Sequence, residues 1–336
     1  MTIRVGIVGA TGYTGLEAIR LLLSHPQAEV VVATSRADAG KPIAEVHPML
    51  AGRLDLELTQ LDASKIAQTC DVVMCCLPHG ASAQTVKELV QHGTRVIDFS
   101  ADFRLSNVPL YEKWYGVTHP WPERVGKTAY GMPEFFRDQI QDADVVANPG
   151  CYPTSAILPL APLVQNGLID ASDVIVDSKT GVSGGGRSAK LAMLYCETNE
   201  SIAAYGVGNH RHQPEIADLV QRISGTELDV TFTPHLAPMS RGILSTIYTK
   251  PNQASAKDVM QCWQDTYSDS VFVTPVDHLP ATKHVAGTNF VQMTVREAGK
   301  RLILICAIDN LAKGASGAAV QNMNVMFDQP ESTGLS

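Results

Sequence analysis

The sequence predicts an α/β protein of two domains: a Rossmann-type doubly wound parallel sheet, followed by an α+β domain with a mixed sheet. Three observations carry the prediction. Apolar, β-rich runs at 3–8, 30–34, 72–77, 95–99 and 145–147 alternate with loops and with helical stretches at 16–24 and 81–92. That is the grammar of a parallel sheet covered by helices. The first run feeds a glycine turn, Gly9-Ala10-Thr11-Gly12-Tyr13-Thr14-Gly15. After Cys151 the texture changes, with strand-like runs at 174–178, 228–234, 243–249, 290–295 and 302–308 and helices near 214–223 and 256–267. This reads as a larger mixed or antiparallel sheet.

The implied boundaries are a dinucleotide-binding domain over 1–150, completed by a C-terminal helix within 312–336, and a catalytic and oligomerisation domain over 151–311. The Pro-, Trp- and Tyr-rich stretch at 105–136 breaks the alternation and reads as ordered loop packed by its own aromatics. A chain of 336 residues exceeds the usual single-domain size, which agrees with two cores.

Composition narrows the function classes. A net charge of −8 gives no basic footprint for nucleic acid or an anionic membrane, so the expected partner is a small molecule. The chain runs from Met1 straight into a strand pattern without a secretion signal, and no apolar run reaches membrane-spanning length. A cytoplasmic enzyme is the expectation. Seven cysteines without metal-site spacing argue against a disulfide framework and against structural zinc. Cys75 and Cys76, inside an apolar run, read as core packing.

In the first domain, strand, glycine turn and helix follow in the order a pyrophosphate site requires. Glycines allow close backbone approach, and the helix N-terminus meets the negative charge. Gly9, Ala10, Thr11, Gly12, Tyr13, Thr14 and Gly15 are therefore the candidate cofactor loop, with G-x-x-G-x-x-G spacing. At the end of the second run, Ser35 and Arg36 stand where an NAD-specific site usually carries an acid, which favours the 2′-phosphate of NADP(H). Asp38, two residues on, is the competing reading as a displaced acid.

In the second domain, the segment Asn148-Pro149-Gly150-Cys151-Tyr152-Pro153-Thr154 turns sharply out of a short strand into an apolar helix at 153–164. Cys151 then sits at a helix N-terminus, where unpaired N–H groups and the dipole stabilise a thiolate. A cysteine nucleophile needs a proton-transfer partner, and His210 and His212 are the candidates. On extended chain the two would face opposite ways, so only one would reach the thiol. Their His-x-His spacing lacks a third metal ligand, so no metal is expected. Thr180 to Arg187 includes a glycine cluster suited to a cofactor or anion, or simply to a turn.

These residues together resemble the N-acetyl-γ-glutamyl-phosphate reductases, NADP-dependent enzymes of arginine biosynthesis related to aspartate-semialdehyde dehydrogenase. The carriers are the glycine turn, Leu77-Pro-His-Gly80, Ser100-Ala-Asp-Phe-Arg104, Tyr130-Gly-Met-Pro-Glu134, the Cys151 segment, Ser183-Gly-Gly-Gly-Arg187, His210-Arg-His-Gln-Pro-Glu215, Ser240-Arg-Gly242 and Ala307-Ile-Asp-Asn-Leu311. The resemblance implies NADPH-dependent reduction of an acyl phosphate to a semialdehyde through a Cys151 thioester, with His210 handling the proton and His212 in reserve. It also implies that Asn310 holds the nicotinamide carboxamide, that Ser183 and Gly184 line the cofactor site, and that the assembly is a homotetramer built as a dimer of dimers. Arg104 and Arg187 are candidates for substrate carboxylate or phosphate. The rival readings are a reductase for a different acyl phosphate and an NADP-binding redox sensor using the same cysteine.

Overall fold

The computed structural model describes residues 2–335, and the chain divides into two compact units, 1–149 with 315–336, and 150–314. The first unit holds a six-stranded sheet of β1 (Ile3–Val8), β2 (Ala28–Thr34), β3 (Val72–Cys75), β4 (Arg95–Asp98), β5 (Ala129–Tyr130) and β6 (Val145–Ala147). All of its pairings are parallel and the order is β2-β1-β3-β4-β6-β5. The chain moves outward from β1 to β2 and returns to β3 on the other side of β1. That reversal opens the crevice in which doubly wound sheets bind ligands. Its central strands are buried on both faces: Val5, Ile7, Val73, Met74, Cys75, Val96 and Ile97 are all closed to solvent. This is why they read as continuous apolar runs.

The segment 105–136 is more regular than its composition predicts. It carries the helix Val108–Tyr115, a 3₁₀ turn at Pro122–Arg124, strand β5 and the start of the helix Pro133–Gln141. Asn107 caps the first helix by accepting the Leu110 N–H at 2.9 Å, and Pro109 lies in its first turn. Tyr111 and Tyr115, one turn apart, stack with centroids 4.8 Å apart. Helical spacing was present here, obscured by the surrounding prolines. The buried carboxylate of Asp102 secures the region, accepting hydrogen bonds from Tyr111 Oη, Gly80 N and Ala83 N at 2.8–3.0 Å.

The second unit is built on a seven-stranded mixed sheet of β7 (Val174–Thr180), β8 (Ala203–Ala204), β9 (Val230–Leu236), β10 (Ile243–Thr249), β11 (Val273–Pro275), β12 (Val291–Ala298) and β13 (Arg301–Ile308), in the order β11-β12-β13-β10-β7-β9-β8. One face is buried beneath the helices, where Ser155 Oγ meets Ser245 Oγ at 2.6 Å and Ser245 Oγ meets Ser178 Oγ at 2.7 Å. The helix Cys151–Gln165 carries two internal prolines, Pro159 and Pro162. Pro162 has no N–H to offer the Leu158 carbonyl, and Tyr267 Oη donates to that oxygen instead at 2.6 Å. Trp263 Nε1 donates to Pro159 O at 3.0 Å, a second side-chain bond that ties the helix to its neighbour Ala256–Thr266.

Candidate active site

In the first unit the glycine turn follows β1 at the sheet's reversal point. Gly9 has φ +81°, and a Cβ there would lie 2.7 Å from the carbonyl oxygen of Cys76, the residue after β3. Only glycine fits, because the loop packs directly against that backbone carbonyl with its φ in the left-handed region. Gly12 is the N-cap of the helix Tyr13–Leu22, while Ala10, Thr11, Tyr13, Thr14 and Gly15 complete the loop and first turn. The loop is braced from three sides. Ala10 N donates to Thr34 O at 3.0 Å, the His47 ring bonds Ala10 O at 3.0 Å, and Ser316 Oγ donates to Thr14 O at 2.8 Å. Sequence reading missed His47 and Ser316, which are distant in the chain and carry no motif.

At the end of β2, Arg36 is exposed and Ser35 is buried. Asp38 is engaged locally: its carboxylate pairs with Lys41 Nζ at 2.8 Å, and its N–H donates to Ser35 Oγ at 3.2 Å. The acid that would compete with a 2′-phosphate already has a cation beside it. Arg104 is buried and donates to the Asn148 and Phe99 carbonyls at 2.8 and 2.7 Å.

In the second unit Cys151 is the first residue of its helix, two residues earlier than the sequence suggests, with Gly150 as N-cap. N–H groups of a first helical turn lack intrahelical acceptors, and the positive end of the dipole favours a thiolate there. Gly150 N donates to Glu215 Oε1 at 2.9 Å, and Glu215 is fully buried. The residue before Cys151 is thus tied to the helix His212–Ser224. Four other thiols are poor competitors, since desolvation pushes Cys70 up to about 11, Cys76 up to about 12, and Cys75 and Cys306 upward as well.

Both histidines lie beside Tyr152, with ring centroids 5.6 Å away for His210 and 5.8 Å for His212, and the two rings are 4.9 Å from one another. The expectation that they face opposite ways fails because Arg211 is helical (φ −64°, ψ −15°), so the segment turns instead of extending. Tyr205 completes the cluster, its Oη 2.9 Å from Tyr152 Oη. His210 Nδ1 accepts the His212 N–H at 3.2 Å, which puts the proton of the neutral ring on Nε2. Burial, and then the charge of Arg211, depress the His210 pKa to about 4.

That depression fixes a pH signature. The unfolded chain protonates this ring near ~6.5, whereas the native ring stays neutral until pH falls to about 4. Across that window the unfolded state binds the extra proton, so His210 costs stability as pH drops and nothing above it. His210→Gln is expected to flatten the decline in urea midpoint between those limits relative to the parent. Parallel declines would show that the ring titrates normally.

The remaining candidates gather at the end of the mixed sheet. Asn310 is buried, its Nδ2 donating to Ser183 Oγ at 3.0 Å and its Oδ1 accepting the Gly242 N–H at 2.7 Å. Ser183 and Gly184 form part of the 3₁₀ turn Val182–Gly185, and Arg187 is exposed just after it. Beyond β13 the chain makes a π-helical turn, Ala312–Ser316, a form that recurs at functional sites. Within it a Cβ on Gly314 would lie 2.8 Å from Cys151 Cβ. Gly314 and Glu215 are contacts of the Cys151 segment for which sequence reading offered no role. Among the described residues, no three His, Cys, Asp or Glu side chains gather as a metal site would require.

Residues 4–143 match the family described as semialdehyde dehydrogenase, NAD binding domain, and residues 151–310 match semialdehyde dehydrogenase, dimerisation domain. The chain is 67% identical over 339 residues to an N-acetyl-gamma-glutamyl-phosphate reductase of Rhodopirellula baltica, covering 99% of this chain and 98% of the relative. It is 49% identical to the protein of that name from Citrifermentans bemidjiense, again over 99% and 98% of the two chains. Among solved structures it resembles aspartate semialdehyde dehydrogenase II from Vibrio cholerae, with TM-score 0.73, 17% identity and coverage of 98% and 99%. Aspartate semialdehyde dehydrogenase with NADP from Candida albicans gives TM-score 0.67 at 18% identity, over 97% and 99%. At such identities the structural likeness speaks for the fold alone.

Proposed function

We propose that this chain, which belongs to the N-acetyl-γ-glutamyl-phosphate reductase family within the semialdehyde dehydrogenases, works through a Cys151 thioester and draws its hydride from NADPH. It is an oxidoreductase of arginine biosynthesis, reducing N-acetyl-γ-glutamyl phosphate to N-acetyl-L-glutamate 5-semialdehyde and phosphate. The observation that carries the residue-level reading is Cys151 at the first position of a helix, with Glu215 holding the preceding N–H and two histidines beside its neighbour Tyr152.

Cys151 Sγ attacks the γ-carbonyl carbon, a C–S bond forms and the C–O bond to phosphate breaks. When bound, the reduced nicotinamide supplies a hydride to the thioester carbon. The resulting hemithioacetal collapses to aldehyde, and the C–S electrons return to the sulfur at the helix N-terminus. His212 is the better proton carrier of the pair. His210 spends its Nδ1 lone pair on the His212 N–H and becomes charged only near pH 4, so it suits a fixed hydrogen-bonding role. Gly9 to Gly15, Ser35 and Arg36 would hold the dinucleotide, with Arg36 on the 2′-phosphate, while Ser183, Gly184 and Asn310 would serve the nicotinamide end. Arg187, exposed on its turn, would serve a substrate carboxylate or phosphate, whereas the buried Arg104 would hold the Asn148 and Phe99 carbonyls in place.

Homo-oligomerisation, ultimately as a dimer of dimers, fits the second face of the mixed sheet. There Ile175, Tyr248 and Ile303 form one half-exposed row and Asp177, Thr246 and Ile305 the next. A cytoplasmic location suits an enzyme that uses NADP(H), and no described helix is long and apolar enough to cross a membrane.

The test is the reverse reaction: NADP reduction by N-acetylglutamate semialdehyde and phosphate, beside aspartate semialdehyde and beside NAD. Phosphate-dependent turnover that favours the acetylated substrate and NADP is expected. Faster turnover of aspartate semialdehyde would refute the substrate, and equal use of NAD would refute the role given to Arg36.

A further inference from the structure

Asp309 follows the last residue of β13 and is fully buried, and its carboxylate is densely partnered. It accepts from Arg241 Nε and Nη2 at 2.7 and 2.9 Å, and from the N–H groups of Gly287, Leu311 and Ala312 at 2.6, 2.8 and 3.0 Å. A carboxylate buried this completely is tolerated only when donors replace its water, and the bidentate arginine is the strongest of them. The bonds to Leu311 and Ala312 also cap the π-helical turn, whose Gly314 N donates to the Asp309 carbonyl at 2.9 Å.

The connections run in two directions from this pair. Arg241 is followed by Gly242, whose N–H holds the Asn310 carboxamide oxygen at 2.7 Å, so adjacent residues grip Asp309 and Asn310. Past the capped turn, Gly314 sits where an added Cβ would come within 2.8 Å of Cys151 Cβ. We propose that Asp309 and Arg241 are positioning residues for the reaction, setting the Asn310 amide on one side and, through the π-helical turn, the seat of the Cys151 thiol on the other. The inference rests on the reading of Cys151 as nucleophile and Asn310 as nicotinamide contact. Neither member of the pair needs to touch substrate.

Two variants separate positioning from simple support. Arg241→Lys keeps the charge but loses the planar fork, and its side chain is 25% exposed, so it replaces no core residue. Asp309→Asn keeps the shape and loses the charge. The readouts, taken without substrate, are the iodoacetamide alkylation rate on the Cys151 peptide, the NADPH dissociation constant, and the dissociation constant of 2′,5′-ADP as a control for the adenosine end.

In folded Arg241→Lys protein the alkylation rate is expected to change at least about threefold and the NADPH constant to rise at least about fivefold, with 2′,5′-ADP binding unaltered. Asp309→Asn should show the same pattern more strongly. If it does not fold, Arg241→Lys decides alone. Unchanged alkylation and NADPH affinity would overturn the proposal, and so would a parallel loss of 2′,5′-ADP binding, which marks general loosening. Because no readout uses the acyl phosphate, a wrong substrate assignment appears only in the turnover assay, and failure of the pair appears only here.

Discussion

Replacing Cys151 with Ser is expected to lower kcat by at least ~10³-fold while NADPH binding stays within about twofold. The effect follows from chemistry more than from shape. A hydroxyl at the same helix N-terminus is far less acidic than a thiol, so the field that favours a thiolate cannot make it an effective nucleophile. Cys70, Cys75, Cys76 and Cys306 are not suited to substitute, because desolvation raises each of these thiols. Cofactor binding should survive, since serine is a close match in volume and Glu215 still holds the Gly150 N–H. Stopped-flow hydride transfer and fluorescence titration of NADPH check the two halves separately. Turnover retained in the serine variant would remove the covalent mechanism altogether.

Gly314→Ala should impair catalysis without directly altering any reacting group. The added methyl would meet Cys151 Cβ at 2.8 Å and Cys151 Cα at 3.2 Å, and it would crowd the Asp309 carbonyl at 3.2 Å. These are backbone and Cβ atoms, so no side-chain rotation relieves the clash; either the π-helical turn or the helix Cys151–Gln165 must shift. Overpacking of this kind costs about 1–3 kcal/mol of stability. Displacing a nucleophile by an ångström costs on the order of 10²-fold in rate. The expected result is therefore a kcat reduced by ~10- to 100-fold in a protein that still folds, with a modest fall in thermal midpoint. Full activity in this variant would show that the turn yields without moving Cys151.

Both effects depend on contacts that differ in how visible they are from the chain alone. The glycine turn between β1 and the helix Tyr13–Leu22 was legible because strand, turn and helix are adjacent in sequence and obey local rules. So was the helix behind Cys151, whose Pro-Gly turn and apolar run announce its start even though Pro159 and Pro162 would argue against its interior. The strands of the first sheet were legible because burial on both faces leaves long apolar runs. The helix Val108–Tyr115 was not, since aromatics and prolines conceal a short amphipathic stretch whose stability comes from Asp102 and from stacking. The paired orientation of His210 and His212 was missed because it turns on one backbone conformation, at Arg211, that residue spacing does not encode.

Taken by itself, the sequence determined the α/β class, the dinucleotide-binding half and the reductase family, because these rest on local patterns and on motifs read in order. Only the tertiary structure decided that Glu215 holds the N–H before Cys151, that His210 is buried and its Nδ1 engaged, and that Asp309 with Arg241 orders the turn leading to Gly314. Those outcomes depend on burial and on donors brought together across 65 residues between Gly150 and Glu215 and 68 between Arg241 and Asp309. Desolvation and close packing act through space, so no reading along the chain can supply them.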